Sequence, residues 1–272
     1  MGVVLAVLSS VLMGTSDFLG GRATRRLGAL VVAGWSQVVG LAILVLLLPL
    51  TTVPQHWGWV GWSLLAGVSG VIALVALFAA LSTGTVGVIS AVTALGTAVP
   101  LLVGLALGER PSALQSAGLA IGLLGAVAAG GPELRGGSSR AVLLAVLSAL
   151  TAGAMLVFLR AGAAQEPVLS LVAMRLIRIV GFGALALWAR SLGGVRRADV
   201  AWLVAIGATD VLGLLSYALA TRFGLLSVTG VLGGLFPVTT ALLGRFVLSE
   251  RLRPLQGVGV LLAFAGVGLI AW

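Results

Sequence analysis

Ten apolar stretches, most about 20 residues long and joined by very short connections, constrain this chain more than any other feature. Each is long enough to cross ~30 Å of hydrocarbon as a helix, and a helix satisfies its own backbone polar groups in lipid. They fall at roughly 3–21, 28–50, 59–82, 85–108, 112–130, 141–161, 168–189, 200–221, 224–248 and 254–272. The predicted fold class is an all-α membrane protein with about ten transmembrane helices. Of the 272 residues, 60% are hydrophobic and 8% charged. A soluble domain of that make-up would lack the polar residues to cover its surface. The first stretch has no basic leader and no small-x-small cleavage pattern before Arg22, so it reads as a retained span.

The net charge of +9 comes from Arg alone among the basic residues and reports on membrane-facing loops, not on nucleic acid. With no cysteine there is no disulfide framework, thiolate nucleophile or sulfur ligand. The lone histidine, His56, sits among polar and aromatic residues between two stretches, so neither a metal nor a cofactor is expected. The sequence carries no HExxH, Ser/His pairing or Walker A loop, which argues against an intramembrane enzyme and against ATP as the driving force.

The longest polar connection, GPELRGGSSR at 131–140, falls at mid-chain and separates segments 1–130 and 141–272. The two segments repeat each other. LAVLS at 5–9 recurs at 144–148, followed at equal distance by Gly14 and Gly153. LLVGLALGERPSALQSAGLAIGLLG (101–125) lies over LLGRFVLSERLRPLQGVGVLLAFAG (242–266), sharing an E-R-x-x-x-L-Q-x-x-G string. Chance matches of Leu and Gly do not readily produce that string. Five helices per copy is an odd number, so the second copy enters the membrane in the opposite sense. Inverted repeats with a site near the midplane between them are an architecture of secondary transporters.

Two five-helix repeats, each closing its fourth helix with an acidic residue and Arg (G-E-R at 108–110, S-E-R at 249–251), resemble the EamA-type transporters of the drug/metabolite transporter superfamily. The Gln that follows each motif and the Gly-rich fifth helix strengthen the resemblance. It implies export or exchange of small metabolites, amino acids or drugs, without ATP, by a multi-pass protein of the bacterial inner membrane. The first helix departs from the family pattern, since Met13 stands where an aromatic usually precedes Gly14. The expected partners are a small-molecule solute and the bilayer, with no nucleic acid; monomer and homodimer both stay open. Arg22, Arg25, Arg26, Arg135, Arg140, Arg190, Arg196, Arg197, Arg251 and Arg253 follow odd-numbered helices, which puts both termini outside by the positive-inside rule. The resemblance implies cytoplasmic termini instead, so sidedness is left open.

The candidate substrate-binding or coupling residues are the polar groups inside the spans. Asp17 shares a stripe with Ser10, Gly14 and Gly21, and its counterpart in the second repeat is Leu156. A position filled by Leu in one copy does not need a carboxylate for packing, so solute or proton binding is one reading. Pairing with Arg22 or Arg25 at the membrane edge is the other. Asp210, near the centre of the eighth span, costs at least ~2.5–3.5 kcal/mol there unless paired, protonated or hydrated. Arg175 and Arg178 lie three apart in the seventh span, and an Arg178–Asp210 pair would leave one guanidinium for another carboxylate or for an anionic solute. That spare cation also suits a carrier of an anionic lipid or sugar phosphate. Tyr217 shares the face of Asp210; Trp35 and Gln37 can either bind a ligand or knit helices together. Pro100 and Pro237 interrupt the fourth and ninth helices at about one turn's difference in repeat position and are candidate hinges. Glu109 and Glu250 read as interfacial charges that offset local Arg and a helix start. Trp57, Trp59 and Trp62 read as an aromatic belt.

Overall fold

In the computed structural model, the described residues are 1–52, 56–130, 138–190, 194–248 and 253–272, and they form helices with no strand among them. The first half contains α1 (Gly2–Leu27), α2 (Ala29–Leu47), α3 (Gly58–Leu81), a broken crossing made of α4 (Val86–Ala94) and α5 (Ala98–Ala106), and α6 (Ala113–Ala129). The second half repeats the order with α7 (Ser139–Ala163), α8 (Pro167–Trp188), α9 (Arg197–Phe223), a broken crossing made of α10 (Leu226–Gly233) and α11 (Phe236–Val247), and α12 (Pro254–Ala271). Among the described residues nine crossings have the length and hydropathy to span a bilayer, and the 17-residue α6 makes the tenth. At 1.5 Å per residue α6 is about 26 Å long, the short end of what spans hydrocarbon.

The main helix pairings map onto one another when the halves are exchanged. Helix α3 lies along α7 as α9 lies along α1, and α3 meets α8 as α9 meets α2. Likewise α1 rests on α10 and α11 as α7 rests on α4 and α5, while α6 pairs with α12 and α2 with α8. Each half crosses an odd number of times, so this exchange turns it over in the membrane. The two halves are inverted five-helix repeats. The face that carries both chain ends is called the terminal face below, and the other, where α1 ends at Arg22, Arg25 and Arg26, the Arg-rich face.

Glycines fix the closest of these crossings. A Cβ on Gly118 would lie 2.8 Å from the Gly266 carbonyl oxygen, and one on Gly125 2.9 Å from that of Gly259. These two contacts map onto each other under repeat exchange, since Gly118 aligns with Gly259 and Gly125 with Gly266. The small residues let the α6 and α12 backbones touch, the usual source of helix affinity where lipid removes the hydrophobic drive. The three atoms nearest a Cβ on Gly259 are backbone of Gly125, Ala128 and Ala129, which cannot swing aside. Gly259→Ala is therefore expected to destabilise the protein by about 1–3 kcal/mol despite its better helix propensity. Thermal unfolding in detergent reads the effect; an unchanged or higher Tm would show that the crossing is looser than described.

Local chemistry explains the repeated motif. Ser112 Oγ accepts the Gln115 N–H at 3.2 Å while Gln115 Oε1 accepts the Ser112 N–H at 3.1 Å, a capping box that starts α6. In the second copy Gln256 Oε1 accepts the Arg253 N–H at 3.0 Å at the start of α12. The repeated Gln is thus a helix-start residue in both halves.

Several boundaries differ from expectation. Helix α1 runs on to Leu27, so Arg25 and Arg26 end a helix rather than occupy a loop, where their charge suits the helix C-terminus. Gly28, at φ 77°, alone separates α1 from α2, a conformation few residues other than glycine adopt. The breaks in the fourth and ninth crossings, at Leu95–Thr97 and Gly234–Leu235, correspond at the spacing that relates Leu5 to Leu144, although Pro100 and Pro237 do not. The reason is tertiary: the two breaks cross each other, with Gly230 against the Pro100 ring and Gly234 against Thr97. Of the three tryptophans expected in the aromatic belt, Trp59 is buried and stacks on exposed Trp57, and Trp62 packs on Phe158.

Candidate functional site

Between the repeats, midway through α2, α8 and α9, the structure gathers an ionic cluster from residues scattered over 37–210 of the sequence. Arg175 is fully buried and donates from Nη2 to Asp210 Oδ2 at 2.6 Å and from Nη1 to Gln37 Oε1 at 2.8 Å. Gln37 is itself held by a bond from its Nε2 to Ser36 Oγ at 3.2 Å. Space for the guanidinium exists because α2 has Gly40 there; a Cβ would lie 2.6 Å from Arg175 Cζ. A charge in the middle of a span is tolerated only when paired or hydrated, and Arg175 and Asp210 neutralise each other with charge-assisted geometry.

The expected Arg178–Asp210 pair is not what forms. Three residues of helix separate the two arginines by about 4.5 Å along the axis, and Arg175 is the one level with Asp210. Arg178 instead points toward α3 and α7. Its Nη1 reaches Gln37 Oε1 at 3.4 Å, its Nη2 lies 3.3 Å from the Met155 sulfur, and its buried Nε has no partner among the described residues. Gly70 on α3 makes the room, since a Cβ there would lie 2.6 Å from Nη2. Arg178 thus lacks a carboxylate partner among the described residues.

Asp17 stands at the edge of the same cluster. Helices α1 and α9 are pinned on either side of it by Ser16 Oγ donating to the Ile206 carbonyl at 3.1 Å and by Met13 packed on Gly213. Asp210 sits on α9 between those two contacts, near enough for its charge to act on Asp17. Asp17 is exposed and is without a hydrogen bond or ion pair among the described residues. Of the arginines at the end of α1, Arg22 lies 5.5 Å over the Trp202 ring and Arg26 pairs with Asp199 at 3.5 Å, and among the described residues neither Arg22 nor Arg25 forms an ion pair with Asp17.

Other candidates lie apart from the cluster. Trp35 is exposed. Tyr217 is fully buried two turns along α9 from Asp210, packed against Gly233, with its hydroxyl unpartnered among the described residues. Pro100 and Pro237 sit at the crossed breaks. A crevice of about 270 Å³ between α2, α8 and α9 is lined by Leu47, Pro167, Leu215, Leu219, Glu166 and Arg222. It lies about 15 Å along α2 from Gln37, toward the terminal face, and is mostly apolar.

Glu109 makes contacts that its sequence neighbours do not suggest. It accepts the Leu226 and Ser227 N–H groups at 2.7 and 2.8 Å, at the start of α10, and pairs with Arg160 Nη1 at 2.7 Å. It therefore caps a helix of the other repeat and not α6. Arg110 is exposed, and Glu250 lies outside the described residues. Partial burial alone would raise the Glu109 pKa; the Arg160 guanidinium and the two N–H groups outweigh it and hold the carboxyl below its ordinary value. A carboxyl depressed in the folded state contributes stability that is complete above its ordinary pKa of about 4.5 and fades as pH falls through the depressed value. Wild-type protein should accordingly lose Tm below that pH, and Glu109→Gln should lose less over the same interval; parallel curves would contradict the assignment.

Arg160, Gly40, Gly70 and Met155 were not singled out by the sequence. The cradling glycines are two of 40, and no motif marks them out.

The model of the EamA-like transporter family matches residues 1–130 and 139–272. No curated protein matches. Among solved structures, one crystal structure superposes with a TM-score of 0.81 at 18% identity, covering 98% of this chain and 95% of its own. At that identity the likeness concerns the fold.

Proposed function

Because the chain belongs to the EamA-like transporter family, we propose that it is a secondary exporter or exchanger of small metabolites, amino acids or drugs, working by alternating access between its repeats. The observation that carries this is the cluster itself. Charges are placed mid-span where each costs free energy, and two of them, Asp17 and Arg178, have no counter-ion within the described residues. A scaffold gains nothing from such groups, whereas a solute with complementary charge would complete them. In this reading Arg178 takes an anionic group of the solute by paired N–H donors, Arg175, Asp210 and Gln37 hold the frame, and Asp17 couples transport to a proton or to a cationic group. Pro100 and Pro237 mark the hinges at the crossed breaks.

The spare guanidinium also favours a second reading, a carrier of an anionic lipid headgroup or sugar phosphate. Purified protein in proteoliposomes, screened with amino acids, cationic drugs, organic acids and sugar phosphates with and without an imposed pH gradient, separates the two. Saturable uptake of a water-soluble zwitterion or organic acid, absent from protein-free vesicles, supports the first. Transport confined to phosphate-bearing substrates supports the second. No saturable flux of any class contradicts both.

A further inference from the structure

The two repeats are not in the same state. Where Asp17 on α1 is exposed, its counterpart Leu156 on α7 is 6% exposed; where Trp35 on α2 is 45% exposed, its counterpart Met174 on α8 is at 0%. Asp17 and Trp35 lie toward the Arg-rich face, Leu156 and Met174 toward the terminal face. Equivalent positions of similar folds are thus accessible toward the Arg-rich face and packed toward the terminal face, called the open and the sealed end below.

At the sealed end stands the Glu109 contact, which joins both repeats. One carboxylate, carried by the connection after α5, holds the first two N–H groups of α10 and the guanidinium of Arg160 near the end of α7. The arrangement depends on Gly104, because a Cβ there would collide with Glu109 Oε2 and lie 2.9 Å from the Ser227 nitrogen. Neither the glycine nor the arginine is repeated, since Arg245 aligns with Gly104 and Gly21 with Arg160. Tyr217 keeps a fully buried hydroxyl without a partner among the described residues. Leaving such a group unpaired disfavours the closed state, so an added contact is needed to hold it.

We propose that Glu109, Gly104 and Arg160 form a latch that holds the terminal face shut, and that its release lets α7 and α10 part and opens the central cluster to that face. Glu109 is a positioning residue and touches no solute. The proposal rests on the alternating-access reading above, and its test needs no solute, so its failure leaves that reading standing.

The chain is free of cysteine, so single cysteines report cleanly. Leu156→Cys reports on the sealed end. Gly21→Cys, on the Asp17 stripe with nothing within 4 Å of its Cβ, reports on the open end. Both are labelled with a charged, membrane-impermeant maleimide in nanodiscs, where reagent reaches both faces. The latch is broken in two ways: Glu109→Gln removes the charge, and Gly104→Ala leaves Glu109 in place but fills its cradle. Charge-assisted bonds are lost in each, so both variants should label Leu156→Cys roughly tenfold faster or more and Gly21→Cys more slowly. Unchanged rates at both reporters overturn the latch. Faster labelling at both reporters means a loosened fold and overturns it as well, as does an effect confined to one of the two variants.

Discussion

Asp210→Leu is expected to destabilise the protein by about 3–5 kcal/mol, because it strands the guanidinium of Arg175, a side chain with no solvent exposure, in the middle of the bundle. The mirror change, Arg175→Leu, should cost less. Asp210 is 22% exposed on its side chain and can take up water, whereas the Arg175 side chain has no access to it. Replacing both residues by Leu removes the pair together with its desolvation penalty, so the double variant should recover most of the loss. A double-mutant cycle on detergent-solubilised protein, read by thermal unfolding, measures the coupling. Additive losses would show that the 2.6 Å contact contributes no net stability. The same cycle run on Arg178 and Asp210 should give little coupling, since those two do not bond directly.

Arg178→Leu is the variant with the largest expected functional effect. Its guanidinium has no carboxylate, a long bond to Gln37 and a soft contact with Met155, so folding should be unchanged or slightly improved by its removal. If Arg178 takes the anionic group of the solute, the loss of a bidentate charged contact should lower uptake by a factor of about 10–100. Arg178→Lys should restore little, since a point charge does not reproduce the fork. Full uptake by Arg178→Leu would exclude it from the solute site.

The spans and their number were legible because lipid imposes one length and one backbone solution on every crossing. The duplication was legible because its copies still share a capping Gln and a Gly ladder, Gly118 and Gly125 over Gly259 and Gly266. Membership of the cluster could be read as well, since Asp210, Arg175, Arg178 and Gln37 are polar residues in apolar spans. The pairing within it could not. A single helical turn decides which arginine meets Asp210, and hydropathy places helix ends less finely than that. The partner of Glu109 was hidden for another reason: Arg160 is 51 positions away and belongs to the other repeat, so no local spacing connects them. The aligned breaks at Leu95 and Gly234 were masked by prolines at unmatched positions. There, packing between two facing helices sets the geometry, and the proline only makes it tolerable.

The central claim is that solute or proton moves through the cluster between the repeats, and Asp17 tests it most directly. Its counterpart Leu156 is part of the packed core, so this fold accommodates an uncharged side chain at the position. Asp17→Asn keeps size and hydrogen bonding while removing both charge and titration. Initial uptake rates of a solute identified in the screen are measured in proteoliposomes from pH 5.5 to 8.5, with and without a pH gradient, for wild-type and Asp17→Asn protein of equal Tm. The account predicts that Asp17→Asn either loses uptake or transports at a rate that no longer responds to pH or gradient. Wild-type rates from Asp17→Asn at every pH, with the same response to the gradient, would contradict it.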